Sequence, residues 1–262
     1  MDATQLSSWF SRKVKLVDEI VANYPSVSEY DLEAKYDAMI ILSCAISAFA
    51  AVLWPGHHID RKRFVELLIR FSPANFHVDY IGVPLLIEGY RDNDEIDNAL
   101  KVRTLFPIND VPENTLFCGD EIDRLDKQLK LDLPNLQVDL MTLRKYSYAN
   151  RIYEDIRCGL IHEYQISRKF GSPISSSKRI DVPCYVNWVI PAEKGIIEQY
   201  SKEKEISFNK AAEIINKRRR TIHFPYEYIR DIYNSTASNV FDFWNHSDTW
   251  IMDKSKKWWI EG

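Results

Sequence analysis

Apolar residues near the start of the chain recur at steps of three and four: Leu6, Phe10, Val14, Val17, Val21 and Tyr24. That spacing predicts an amphipathic helix over 3–24. It ends at Tyr24-Pro25, because the residue before a proline is pushed out of the α region. A second helix is expected from Ser26 or Ser28, each followed three residues later by an acid, Glu29 or Asp31, at capping-box spacing. It runs to Trp54 and stops at Pro55-Gly56, and a third helix follows Asp60 to Ser72-Pro73.

Residues 73–118 hold no sustained period. Pro73, Pro84, Pro107 and Pro112 interrupt them, and only DEIDNALKVRTLF carries a helical turn or two. A short helix is expected at 119–131 and a long one at about 137–165, apolar at Leu140, Leu143, Tyr146, Ile152, Ile156, Leu160, Ile161 and Tyr164. Past Gly171, SPISSSKR reads as a turn, and IDVPCYVNWVI and KGIIEQYS read as short β segments. Helical spacing returns over 224–244 through Tyr228, Ile232, Val240, Phe243 and Trp244. The elements together predict a mainly α fold: a helical bundle with a small β element toward the C-terminus. One domain is expected over 1–262, with its core at about 1–72 and 137–165 and a β-containing appendage and last helix at about 172–250.

Composition narrows the classes. Hydrophobic content of 45% with 27% charged residues is that of a globular protein, and eight glycines are too few for a fold built on glycine turns. A net charge of −4 leaves any nucleic-acid contact to a local basic patch. Cys44, Cys118, Cys158 and Cys184 are scattered singly, which argues against a zinc site or disulfide framework and for a reducing, cytoplasmic setting. The N-terminus has no apolar run of the kind that directs secretion. Ala38 to Trp54 is a stretch of 17 residues without a charge. A membrane span wants about 20 apolar residues, so the expectation is a buried core helix and no membrane partner.

Candidate chemistry concentrates in YEDIRCGLIHEY, residues 153–164. A histidine with a pKa near 6.5 can take a proton from a ribose 2′-OH or give one to a leaving oxygen. An arginine offers a planar fork of donors to the charge that grows on phosphate oxygens. Arg157 and His162 therefore hold the minimum equipment for metal-independent RNA cleavage. Spacing alone decides nothing. With 16 Arg and 6 His, chance supplies roughly one pair at five to seven residues. Three occur: Arg157–His162, Arg218–His223 and Arg70–His77. Arg70–His77 crosses a helix end, and Arg218–His223 enters a β-like segment where alternation explains it. Only Arg157–His162 ends a long amphipathic helix, with Gly159 inside it to permit close backbone approach. On an ideal α-helix five residues leave the two about 140° apart. One small substrate would reach both only if the helix distorts near Gly159, or if two symmetry-related helices share a cleft.

The run Arg157-Cys158-Gly159-Leu160-Ile161-His162, late in a helical bundle, resembles the R-x(4–6)-H motif of the HEPN superfamily. The resemblance covers the bundle of 1–72 and 137–165. It implies a metal-independent endoribonuclease, needing no cofactor, with His162 as general acid/base and Arg157 as stabiliser of the phosphate transition state. It further implies a homodimer through the helix of residues 153–164, and a place in toxin–antitoxin, anti-phage defence or stress response. The sequence names no antitoxin or regulatory partner. The position after the arginine is often polar in such enzymes, and here it is Cys158. That departure keeps two alternatives: a catalytically silent HEPN-like module that binds nucleotide or RNA, and a purely structural helical interaction protein. In the structural reading Arg157 pairs with Glu154 or Glu163 and His162 is packed.

Three weaker signals remain. Lys217, Arg218, Arg219 and Arg220 form the one concentrated basic run, either an RNA-backbone contact or a solvated turn. His57-His58 near Asp60 lacks further ligands at zinc-like spacing, so no metal is expected. The terminal KSKKWWIEG is expected to dock onto the bundle.

Overall fold

The computed structural model describes residues 3–23, 29–105, 116–136, 138–163, 182–190, 192–215, 217–247, 251–252 and 258–261. The chain is mainly α. Helices α1 (Ala3–Ala22), α2 (Glu29–Leu53) and α3 (Asp60–Phe71) lie where the sequence predicts them, while Ser26 and Ser28 fall outside the described residues. The stop at Ser72 is the expected one: its backbone is extended ahead of Pro73, while its N–H still reaches the Leu68 carbonyl.

The middle of the chain is more helical than its prolines suggest. A two-residue strand β1 (Tyr80–Ile81) leads into α4 (Val83–Asp92) and α5 (Ile96–Arg103). Pro84 was read as a breaker. It sits in the first turn of α4, where a missing N–H costs nothing and the fixed φ suits the helix. Strands β2 (Leu116–Cys118) and β3 (Arg124–Leu125) and helix α6 (Asp126–Asp132) follow.

The single long helix expected over 137–165 is three pieces. They are α7 (Leu140–Arg144), α8 (Tyr148–Arg151) and a π-helix, Ile152–Glu163. Side-chain caps make the breaks. Asp139 accepts from the Thr142 N–H at 2.6 Å, and Ser147 accepts from the Asn150 N–H at 3.3 Å, starting the backbone afresh.

Past it come β4 (Cys184–Ile190), α9 (Lys194–Glu203), α10 (Phe208–Ile215), β5 (Lys217–His223) and α11 (Tyr226–Asn245). The β reading of KGIIEQYS is wrong, because those residues form α9. Lys194–Glu198 and Gln199–Glu203 pair at i,i+4, and Ile197 is buried while Ile196 faces solvent. The basic run is β5, an edge of the antiparallel sheet β2-β4-β5, and not a turn.

Helix α2 is the hub of the larger hydrophobic cluster, packed by α1, α3, α11 and the π-helix. Its Ala38, Met39, Leu42, Ala45, Ile46, Phe49, Ala50 and Leu53 are essentially without solvent exposure. Each large side chain there contributes about 1.5–3 kcal/mol by leaving water. Among the described residues α2 is the one helix long and apolar enough to cross a membrane, and half of that window is buried inside the bundle. A polar contact lies within the packing, Ser43 Oγ to Tyr233 Oη at 3.1 Å. A smaller cluster gathers α4, α5 and α6 around Ile87, Val102 and Leu129. The C-terminal tail docks, as expected. Trp258 meets Trp54 edge-on, and Ile260 is buried. The Trp259 N–H donates to Glu66 at 2.7 Å, and Arg144 lies over the Trp259 ring.

Candidate functional site

The π-helix changes the geometry on which the Arg–His question turns. Its hydrogen bonds close from i to i+5, so rotation falls to roughly 80° per residue. Five residues then bring the backbone within about 45° of its starting direction. Backbone positions 157 and 162 therefore lie one above the other on one face, where an α-helix would hold them about 140° apart. The case for a shared dimer cleft that rested on the α-helical angle no longer applies.

Local contacts fit the wide helix. Tyr153 and Cys158, five apart, lie close enough to interact electrostatically. Burial pushes the Tyr153 phenol up to about 12, the neighbouring Cys158 adding to the rise and the Arg157 charge opposing it. The Arg157 guanidinium lies 5.4 Å from the centre of the Tyr153 ring, and its Nη1 is 3.7 Å from Cys158 Sγ. Phe64 of α3 packs on the other side of Tyr153, 5.3 Å between centroids. Arg157 is partly exposed and Gly159 is buried.

The acids that precede Arg157 are engaged elsewhere. Glu154 is held by Arg61 at 3.1 Å and by Arg151 at 3.1 Å, and buried Asp155 pairs with Arg151. Glu154 is thus tied to two other arginines, and the side chains of His162 and Glu163 lie outside the described residues.

In the other two Arg–His pairs the described side chains have partners of their own. Arg70 binds Glu66 at 2.6 Å and lies over Trp54. His77 instead stacks on Tyr80, 4.4 Å away, beside a cleft of about 330 Å³ lined also by Ser72, Asp79 and Leu125. His223 is buried, with Nε2 2.9 Å from Thr221 Oγ1. In the basic run Arg220 is 2% exposed and pairs with Glu88 of α4 at 2.8 Å. Phosphate could reach Arg220 only by displacing Glu88. The side chains of Lys217, Arg218 and Arg219 lie outside the described residues. His57 and His58 are exposed, and no group of three or more metal-ligating side chains occurs among the described residues.

One cluster had no sequence signal. Asp123, 1% exposed, accepts from the Val83 N–H at 2.8 Å, from Tyr185 Oη at 2.7 Å and from Tyr148 Oη. Burial pushes its carboxyl up to about 7, against the three donors and the nearby Arg124 charge. A Cβ at Gly119 would collide with Tyr148 Oη and meet Asp123 Oδ2 at 2.9 Å, so this turn needs glycine. The cluster fixes α8, and with it the start of the π-helix, to β4 and α4. Its members come from four separated segments, which no local motif could have joined.

Compared with known proteins, the chain matches no family model, no curated protein and no solved structure.

Proposed function

We propose that the protein is a metal-independent endoribonuclease of HEPN type, with Arg157 and His162 as its catalytic pair. The observation that carries this reading is the π-helix Ile152–Glu163, which sets positions 157 and 162 on one face of one chain. π-Helical turns concentrate at functional sites because they give up hydrogen-bond quality for altered side-chain direction. In the proposed reaction His162 takes the proton from a ribose 2′-OH, and the 2′-oxygen bonds to the adjacent phosphorus. The bond from phosphorus to the 5′-oxygen breaks, and the protonated His162 returns the proton to the departing 5′-oxygen. Arg157 meets the charge that builds on the non-bridging oxygens. The products are a 2′,3′-cyclic phosphate and a 5′-OH. A homodimer through the same helix would set two such faces in one cleft, and the setting is cytoplasmic defence or stress response.

The test is RNA incubated with the purified full chain in EDTA, with the ends of any fragments mapped. Cyclic phosphate and 5′-OH ends support the reading. Bound but uncut RNA replaces it with the silent binding module, to which Cys158 beside Arg157 points. The absence of both binding and cutting leaves the interaction protein.

A further inference from the structure

The sequence scatters its four cysteines, but the sheet brings two of them together. In the antiparallel pairing of β2 with β4, Cys118 stands directly opposite Cys184. Residues opposite one another on an antiparallel ladder project to the same face. The ladder bond beyond them runs from the Gly119 N–H to the Pro183 carbonyl at 2.8 Å. That is the pattern of a pair that exchanges no backbone hydrogen bonds with each other, the kind with Cα atoms only about 4.5 Å apart and side chains closest. A disulfide spans Cα separations of about 4.4–6.8 Å. A pair of this kind falls within the range a disulfide can join. Both carry thiols in the structure.

We propose that Cys118 and Cys184 form a reversible cross-strand disulfide, made by exchange with a low-molecular-weight disulfide of the glutathione type. Cys118 is partly exposed and Cys184 is buried, which orders the steps. The Cys118 thiolate attacks one sulfur of the oxidant, forms a mixed disulfide and releases one thiolate. Cys184 then gives up its proton and attacks the Cys118 sulfur, expelling the second thiolate. Two protein thiols are oxidised and one small disulfide is reduced to two thiols. Burial, and secondarily Cys118, push the Cys184 thiol up to about 12, so the second step is the slow one. Small thiols reverse both steps by the same exchange. It closes the chain between 118 and 184 into a loop that contains all of α7, α8 and the π-helix.

The experiment treats the full chain with oxidised glutathione, alkylates the remaining thiols and maps unreduced peptides by mass spectrometry. The expected result is one linked Cys118–Cys184 peptide pair, lighter by two hydrogens than the separate peptides and lost on adding dithiothreitol. It is absent from Cys118→Ser and from Cys184→Ser. The oxidised parent melts roughly 5–10 °C higher than the reduced one, and Cys118→Ser, at a partly exposed position, shows no such rise. The proposal is overturned if Cys118 ends as a stable glutathione adduct, or if both cysteines remain alkylatable while exposed Cys44 reacts.

Discussion

The Tyr153 phenol and the Cys158 thiol interact across five residues of one helix, where α-helical geometry would turn them toward different faces. The same widening carries position 162 round beneath position 157. That proximity ties the local side chains to the backbone form that the proposed site needs. Tyr153→Phe removes the hydroxyl that faces Cys158 while keeping the ring on Phe64 and under Arg157. The expected cost is about 0.5–1.5 kcal/mol in urea unfolding, together with a larger fractional loss of RNA cleavage than the stability change alone would produce.

If both catalytic groups act from one chain, mixing two defective chains cannot repair them. Arg157→Ala and His162→Ala, unfolded and refolded together, are expected to stay inactive. Recovery of activity in the mixture would place the two groups across a subunit boundary instead.

Asp123 gives the protein a pH dependence of defined sign. Its folded pKa is raised to about 7 from the ordinary 3.8, so between these values the folded chain holds a proton that the unfolded chain has lost. Stability from this group is full below about pH 4 and falls by about 1.4 kcal/mol per unit as pH rises toward 7. Asp123→Asn is expected to flatten that part of the profile relative to the parent. Asp123→Ala leaves the buried Tyr148 and Tyr185 hydroxyls without their acceptor and costs about 2–4 kcal/mol near neutral pH. Chemical denaturation from pH 4 to 8 reads both.

Arg220 and its neighbours in the basic run are expected to behave differently. Arg220→Ala removes the buried partner of Glu88 on α4, which keeps Arg91 at 3.4 Å, and lowers stability by about 1.5–3 kcal/mol. Arg218→Ala and Arg219→Ala are expected, where RNA is bound, to weaken binding and reduce its salt dependence. Urea unfolding beside RNA titration at two salt concentrations separates the two effects.

The bundle helices were legible because their signals are local: α1 and α11 carry an apolar period, α2 an uncharged apolar run, and α3 lies between Asp60 and Ser72-Pro73. What escaped was decided by context. Pro84 breaks a helix interior but opens α4, and only its position in the first turn tells the two apart. Ser147 interrupts an apolar period that continues on either side of it, so the spacing alone ran three pieces together. The Arg157–His162 pair was visible as residues but not as geometry, since no pattern in the letters separates a π-helix from an α-helix. Asp123 and the Cys118–Cys184 pairing depend on contacts across long stretches of chain, and neither leaves a local trace.

The most direct measurement compares cleavage of one RNA in EDTA by the parent, Arg157→Ala and His162→Ala, each shown to be folded by circular dichroism. The expected result is cutting by the parent, a loss of about 10²–10³-fold in Arg157→Ala and about 10²–10⁴-fold in His162→Ala. Equal cleavage by the parent and both folded variants would contradict the assignment of these residues, and an inert parent would contradict the ribonuclease itself.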